Sequence, residues 1–533
     1  MELTIPALLY SEVHFKFFKS FPSLLFQNEP EILFDAPKRA PAGSEIPILL
    51  ILNDLRKYPV HINEVTIALQ IDGYNSHVSF INFHNYEINH KFNKNQKAYI
   101  FPIAAPSVEG FLNIDCKIDF VTNGKKKLAI NDNLKKSSKT SLSCYIAKNT
   151  FPGAAYCKYG DLHIHSQYSQ SHVEFGPPIQ VINTLAKSYG LDFIAITDHS
   201  YDLACLMTNY LIEDPKVERW KNYLDDMNAD ELQIINLPGE EISCLNSEKN
   251  VVHLCGINIS EFIPGSMDGA RRKKVHSTQS TINQAVTNIH LQNGLAVAAH
   301  PGSRKSLIQK IFLNRGYWSE KDIIENSLDG IQAFNGSFKG VWERGKALWL
   351  FAIQNGKRLA LLAGNDAHGD FNRYRAIKIP FFSIYEDFQR FMGFGKTGVY
   401  TSECDKESIV KAIEQAKTFI TTGPFLSINY TDNPGDSAIS NIPLSKSISY
   451  LYIHAFSTPE FGPISDLKIF AFYEDERVEK LLLRIKPENQ LFRLCNKILF
   501  DQSHPLYIRA EVKTKNNFYS YEAFTSACYF NQE

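Results

Sequence analysis

A chain of 533 residues exceeds one ordinary domain and is long enough for two to four. Hydrophobic residues make up 44% and charged residues 21%, a globular composition, and no apolar run approaches the roughly 18 residues of a membrane-spanning helix. A net charge of −1 excludes a general polyanion binder and argues against nucleic acid as the partner.

The first stretch, residues 1–155, reads as β-rich. Apolar residues 48–52, entered through Pro47 and left through Asn53-Asp54, predict a strand, as do 60–69 and 111–120. The Pro, Gly and Asn residues between them fit an antiparallel sandwich. Lys125-Lys126-Lys127 and Lys135-Lys136 read as solvated turns.

The middle, residues 156–424, changes character. Gly160-Asp161-Leu162-His163-Ile164-His165-Ser166 predicts a short strand whose two histidines project to one face. Largely apolar runs at 191–197, 233–237, 251–257, 295–299, 330–334 and 359–363 read as buried strands. Helical patterns alternate with them at 179–188, after Pro177-Pro178 and before Gly190, at 281–292, and at 341–354. Trp342 and Trp349 lie seven apart on the last of these, which is core spacing. Seven such strands alternating with helices predict an α/β fold with a closed or nearly closed β/α barrel. A helix capped by Asp405 and a strand at 418–422 extend it. From 425 to 533 strands dominate, at 449–454, 467–472, 481–485, 506–512 and 523–530, and predict a second flanking β-sandwich-like domain.

The nine cysteines include no Cys-x-x-Cys pair, so thiolate zinc clusters and redox motifs are excluded, and a metal site would be built from His and carboxylate. Free cysteines, together with a Met1-Glu2-Leu3-Thr4-Ile5 start that lacks basic residues, predict a cytoplasmic protein.

In a β/α barrel the active site lies beyond the C-terminal ends of the strands. His163 and His165 lie on the first strand, Asp198-His199 ends the second, and Glu240-Glu241 follows the third. His253 lies within the fourth, His300 ends the fifth, and Asp366 and His368 follow the last. Six histidines with carboxylates at one level would leave buried polar groups unpaired unless something binds them, and metal ions suit these donors. Only one of Glu240 and Glu241 can face the site, because adjacent strand residues point oppositely. Asp198 reads as an orienting neighbour, Cys255 as a small core residue, and His290, His276 and Arg271-Arg272-Lys273-Lys274 as surface or loop residues.

Asp161–Ser166, Ile196-Thr197-Asp198-His199, Gly239-Glu240-Glu241-Ile242-Ser243, His253, Ala299-His300-Pro301 and Gly364-Asn365-Asp366-Ala367-His368, in this order over about 210 residues, together resemble the PHP (polymerase and histidinol phosphatase) superfamily. GNDAHGDFNR at 364–373 and KAIEQAKTFITTGP at 411–424 resemble its CehA/McbA-type metallohydrolase branch, which includes carbaryl hydrolase. The resemblance implies a distorted seven-stranded barrel holding two or three divalent ions, Zn, Mn or Fe. It implies that His163, His165, Glu241 and Asp366 hold one ion. Glu241 would share a second with His253 and His300, and His199 and His368 would serve a third. The family places a further ligand five or six residues after His165, where this chain has Gln170 and Ser171, so His172 is the candidate there.

Paired ions about 3.5–4 Å apart generate a bridging hydroxide near neutral pH and neutralise charge developing in a displacement. The expected function is therefore metal-dependent hydrolysis of a small-molecule phosphoester. Asp366 and His300 are the expected catalytic residues, and Arg373 is expected to grip the phosphate. A carbamate, ester or amide hydrolase and a non-catalytic, metal-containing scaffold are the alternatives. Homo-oligomerisation and the role of the flanking β-regions stay open.

Overall fold

The computed structural model describes residues 29–529, except 54, 57, 74–78, 93–95, 134–139, 170–175, 207–208, 266–279, 304–309, 311–313, 337–339, 369–375, 380–381, 386–390, 432–447, 476 and 502–504. Gln170, Ser171, His172, Arg271–Lys274, His276 and Arg373 fall outside the described residues.

The N-terminal strands form two sheets. Glu31–Asp35, Glu45–Asn53 and Gln96–Ala104 make one, and Val60–Gly73, Ser79–Phe92, Gly110–Thr122 and Leu142–Ala147 dominate the other. Gly110–Thr122 alternates buried and open positions along its length, the period-two signature of a half-buried strand. Its buried Leu112, Ile114, Cys116 and Ile118 meet Ile46, Ile48 and Leu50 in one core. Lys125-Lys126-Lys127 is not a turn: Lys125–Ile130 is a strand paired with Gly110–Thr122. The turn is Asn123-Gly124, both residues at positive φ, as a two-residue hairpin requires.

We number the seven strands of the middle region in chain order: β1 Lys158–Ile164, β2 Phe193–His199, β3 Ile235–Leu245, β4 Val251–Ile257, β5 Leu295–Ala298, β6 Gly330–Asn335 and β7 Ala360–Gly364. They are sequential neighbours in one sheet. β1, β2 and β3 run parallel, as do β5, β6 and β7. β4 runs antiparallel to both β3 and β5. A parallel crossover needs a dozen or more residues, and only 246–250 join β3 to β4, so that pair folds as a hairpin. Beyond β7, Ala367 bridges back to Ile164, with His165 N donating to Ala367 O (2.9 Å) and Asp366 N to His163 O (2.9 Å).

The sheet is not confined to these seven strands. β1 also pairs with Lys396–Val399, and the sheet continues through Thr418–Thr421, Ser520–Thr525, Pro505–Lys515, Ile464–Tyr473 and Val478–Ile485, with Cys528–Tyr529 paired to Pro505–Lys515, to fourteen strands among the described residues. The protein is mostly β, with 48% strand and 17% helix. A three-stranded sheet, Phe425–Thr431, Ile448–Phe456 and Arg493–Asp501, shares the core of the later strands.

Alternate residues of the seven strands feed two cores. Phe193, Ala195, Leu237, Cys255, Val297 and Leu362 pack into one, with Ile409 and Ile413 of the helix Lys406–Glu414. Ile194, Ile196, Ile242, Leu254, Ala298 and Leu361 join the larger core with the helices, including Trp342 and Trp349 of Val341–Gln354. The helix ends follow the sequence signals: Gly190 is the left-handed C-cap of Ile179–Tyr189, Thr281 makes a capping box on Ile282–His290, and Asp405 Oδ1 accepts from Ser408 N (2.8 Å).

Candidate metal centre

The polar ends of these strands meet in one buried cluster. His163, His165, His199, Glu241, His253, His300, Asp366 and His368 are all at most 7% exposed. β1 ends at Ile164, so His163 sits on the strand and His165 just past it, yet their Nε2 atoms lie 3.1 Å apart. His165 Nε2 is 3.1 Å from Asp366 Oδ1, and His163 Nε2 is 3.5 Å from the same oxygen. Glu241 Oε2 lies 3.6 Å from both Nε2 atoms.

Two observations test whether these donors suit a cation. His163 Nδ1 is 2.8 Å from Gln332 Oε1, a carbonyl that can only accept, so the proton is on Nδ1 and Nε2 presents a lone pair. His368 Nδ1 likewise meets the Asp366 carbonyl (3.0 Å), and its buried Nε2 has no hydrogen-bond partner among the described residues. Lone pairs and carboxylate oxygens converging this closely repel one another unless a cation lies between them. Four donors at about 2.0–2.1 Å around a tetrahedral ion stand about 3.3–3.4 Å apart, within the 3.1–3.6 Å span measured for His163, His165, Glu241 and Asp366. The residues fit the group.

Electrostatics agree in part: burial opposes the charge of His163, but Cys255, Glu241 and Asp366 outweigh it and hold the ring well above the ordinary histidine value. Burial opposes the charge of Glu241, but His253, His163 and His199 outweigh it and hold the carboxyl well below the usual range. Burial holds His165 well below, and His368 below, the ordinary histidine value, in the neutral form that ligates. His300 and Asp366 both take positive φ, 31° and 55°, a backbone strain that collects at functional sites.

Among the described residues, donor atoms close enough to share an ion fall into three groups: His163, His165, Glu241 and Asp366; His165, His199 and His368; and His199, Glu241 and His253. The first matches the set that the resemblance implies. The others divide the histidines differently: His199 Nδ1 lies 2.8 Å from Glu241 Oε2, and His300 Nε2 lies 2.9 Å from Glu241 Oε1. Glu240 faces away, accepts Ile263 N (2.7 Å), and is pushed by burial well above the carboxylate range.

Asp198 lies outside the donor groups found among the described residues. It accepts Ser166 N (2.7 Å), Ser166 Oγ (2.5 Å) and Ser169 N (3.1 Å), which places Ser169 Oγ 3.1 Å from His165 Nδ1. Cys255 packs beneath His163, Sγ 3.7 Å from Nδ1, its thiol pushed up by burial. His290 stands clear of the cluster and pairs with Asp329 (2.9 Å).

Sequence reading missed four supports. Asp161 accepts His163 N (3.2 Å), Asn365 N (3.1 Å), Asn365 Nδ2 (2.6 Å) and Gly393 N (2.9 Å). Gln332 orients His163, and Arg315 meets His253 Nε2 through its guanidinium NH1. Gly364 lets β7 pass β1, since a Cβ there would come within 2.6 Å of His163 Cβ. Of these, Asp161, Asn365 and Gly364 lie in motif positions, whereas Gln332 and Arg315 carried no sequence signal.

No family model matches the chain, and no curated protein matches it. Among solved structures it is similar to a two-domain protein from Bacteroides vulgatus ATCC 8482 containing a predicted PHP-like metal-dependent phosphoesterase. The identity is 16%, the match covers 69% of this chain and 93% of that one, and the TM-score is 0.35. It is also similar to a proposed metal-dependent phosphoesterase from Bifidobacterium adolescentis ATCC 15703, at 16% identity over 43% of this chain and 93% of that one, with a TM-score of 0.28. TM-scores this low do not by themselves establish a common fold.

Proposed function

We propose that this chain is a metal-dependent hydrolase of small-molecule phosphoesters. The observation that carries the reading is the convergence of His163 Nε2, His165 Nε2, Glu241 Oε2 and Asp366 Oδ1, with each histidine nitrogen 3.1–3.6 Å from the other and from both carboxylate oxygens, inside a strand framework that brings four more buried donors alongside. His163, His165, Glu241 and Asp366 would hold one divalent ion, and His165, His199 and His368 surround a second position. Such ions supply hydroxide near neutral pH and offset charge on a phosphoryl oxygen.

The chain's own residues do the rest. Gln332 and the Asp366 carbonyl fix the tautomers of His163 and His368, and Asp198 through Ser169 fixes the ring of His165. Glu241 stays ionised and balances the cationic centre. His300, at hydrogen-bond distance from Glu241 and on a strained turn, is the candidate to hold a proton for the leaving group. Arg373 is the proposed phosphate grip.

The ordered motifs shared with the PHP superfamily support this reading, and the phrases at 364–373 and 411–424 support a carbamate or ester hydrolase of the CehA/McbA type as the second reading. Metal analysis of the purified chain, followed by a panel of phosphate mono- and diesters beside carboxylic and carbamate esters, separates them. Less than about one ion per chain with no response to added Mn²⁺ or Zn²⁺ would sink both.

A further inference from the structure

Arg315 lies outside every motif, yet its side chain is 2% exposed and its guanidinium NH1 sits against His253 Nε2. The segment around it is docked along β4. Val251 N donates to Asn314 O (2.8 Å), Gly316 N to Val251 O (2.9 Å), and Trp318 Nε1 to His253 O (3.2 Å). Arg315 bridges Val251, two residues from His253 and so on the same face of the strand, and this delivers the guanidinium to the ring.

A guanidinium carries only donors. His253 Nε2 must therefore accept, and a neutral imidazole accepting at Nε2 carries its proton on Nδ1. That nitrogen meets Glu241 Oε1, so His253 donates to the carboxylate. Ligation through Nδ1 would require the opposite tautomer, with an N–H at Nε2 facing the N–H of Arg315. It would also set an ion beside a buried guanidinium. The contact with Arg315 and the ligation of a metal by His253 exclude each other.

We infer that Arg315 is a positioning residue that fixes His253 as a hydrogen-bond donor to Glu241 and thereby closes the His199, Glu241 and His253 position to a metal ion. Among the described residues this leaves the His163, His165, Glu241 and Asp366 group and the His165, His199 and His368 group, which share His165. His253 orients Glu241 for the first of these. This inference rests on the metal-centre reading above.

The test counts bound ions. The full chain is stripped with chelator, loaded with Zn²⁺ or Mn²⁺, desalted and assayed by mass spectrometry of the metal. Arg315→Met removes the donor and the charge, and is expected to bind one more ion per chain than wild type. Arg315→Lys keeps both and should bind the wild-type number. His253→Gln still offers a donor to Glu241 and should also bind the wild-type number. The inference is overturned if Arg315→Met gains nothing, or if His253→Gln loses an ion. A wild-type chain that binds no metal overturns the metal-centre reading and this inference with it. That result is distinct from one in which wild type loads and only the variants misbehave.

Discussion

The carboxylate of Asp161 grips Asn365 by both backbone N (3.1 Å) and side-chain Nδ2 (2.6 Å), tying β1 to the turn after β7 across 204 residues of sequence. Asn365 Oδ1 in turn accepts Gly395 N (2.9 Å), so the pair locks the loop that presents Asp366 and His368. Asp161→Ala would strand these buried donors, each costing about 1–3 kcal/mol. The expected result is a chain destabilised by roughly 3 kcal/mol or more in urea unfolding, with weakened metal retention.

Gln332→Leu tests the tautomer argument. It removes the acceptor of His163 Nδ1 while keeping bulk, so Nε2 loses its fixed lone pair. Metal affinity in a competition titration should fall about 10–100-fold, with the fold intact by circular dichroism.

Asp366→Asn is a clean probe of the first position, because Asn tolerates the left-handed backbone that Asp366 adopts. It should weaken metal binding by more than the ~10–100-fold of an outer partner and remove phosphatase turnover. Turnover retained at the wild-type level would count against the proposed centre.

Lys396 supplies a pH test away from the cluster. Burial lowers its pKa from 10.5 to about 7, although Gly393 O (3.1 Å) and Phe394 O (3.3 Å) accept from its Nζ. A lysine depressed in the folded state binds fewer protons there than when unfolded, so its contribution to stability rises with pH between about 7 and 10.5. Lys396→Met should lose this slope, read as the difference between wild-type and variant unfolding free energies at pH 7.5 and 9.5 (approximate settings within that window).

Truncation after residue 424 should give insoluble protein. Thr418–Thr421 would lose its partner Ser520–Thr525 and expose a strand edge. Ser526 Oγ, which accepts from Leu361 N (2.9 Å) in β7, would also be lost. Recovery of a monodisperse 1–424 chain would contradict the continuous sheet.

The middle strands were legible because six of the seven carry or immediately precede a His, Asp or Glu. The first metal group was legible because its members lie in ordered motifs. Strand direction was not, since apolar periodicity carries no sense of direction; only the short 246–250 link marks β4 as reversed. Lys125–Ile130 was misread because charge masked a strand that Asn123-Gly124 had already signalled. Which histidines share a position depends on side-chain geometry, not order. Arg315 and Gln332 act on partners 62 and 169 residues away and leave no local trace.

The long reach of these contacts bears on how the protein is made. Leu361 and Ser526 are 165 residues apart, and Asp161 and Asn365 are 204 apart. Pairings this distant fold slowly and cannot form while their later halves are still untranslated. Domain-by-domain folding behind the ribosome is thus barred to the central sheet. The donor cluster takes shape only after synthesis has passed Asp366 and His368, so whatever it binds is captured after that point in the chain.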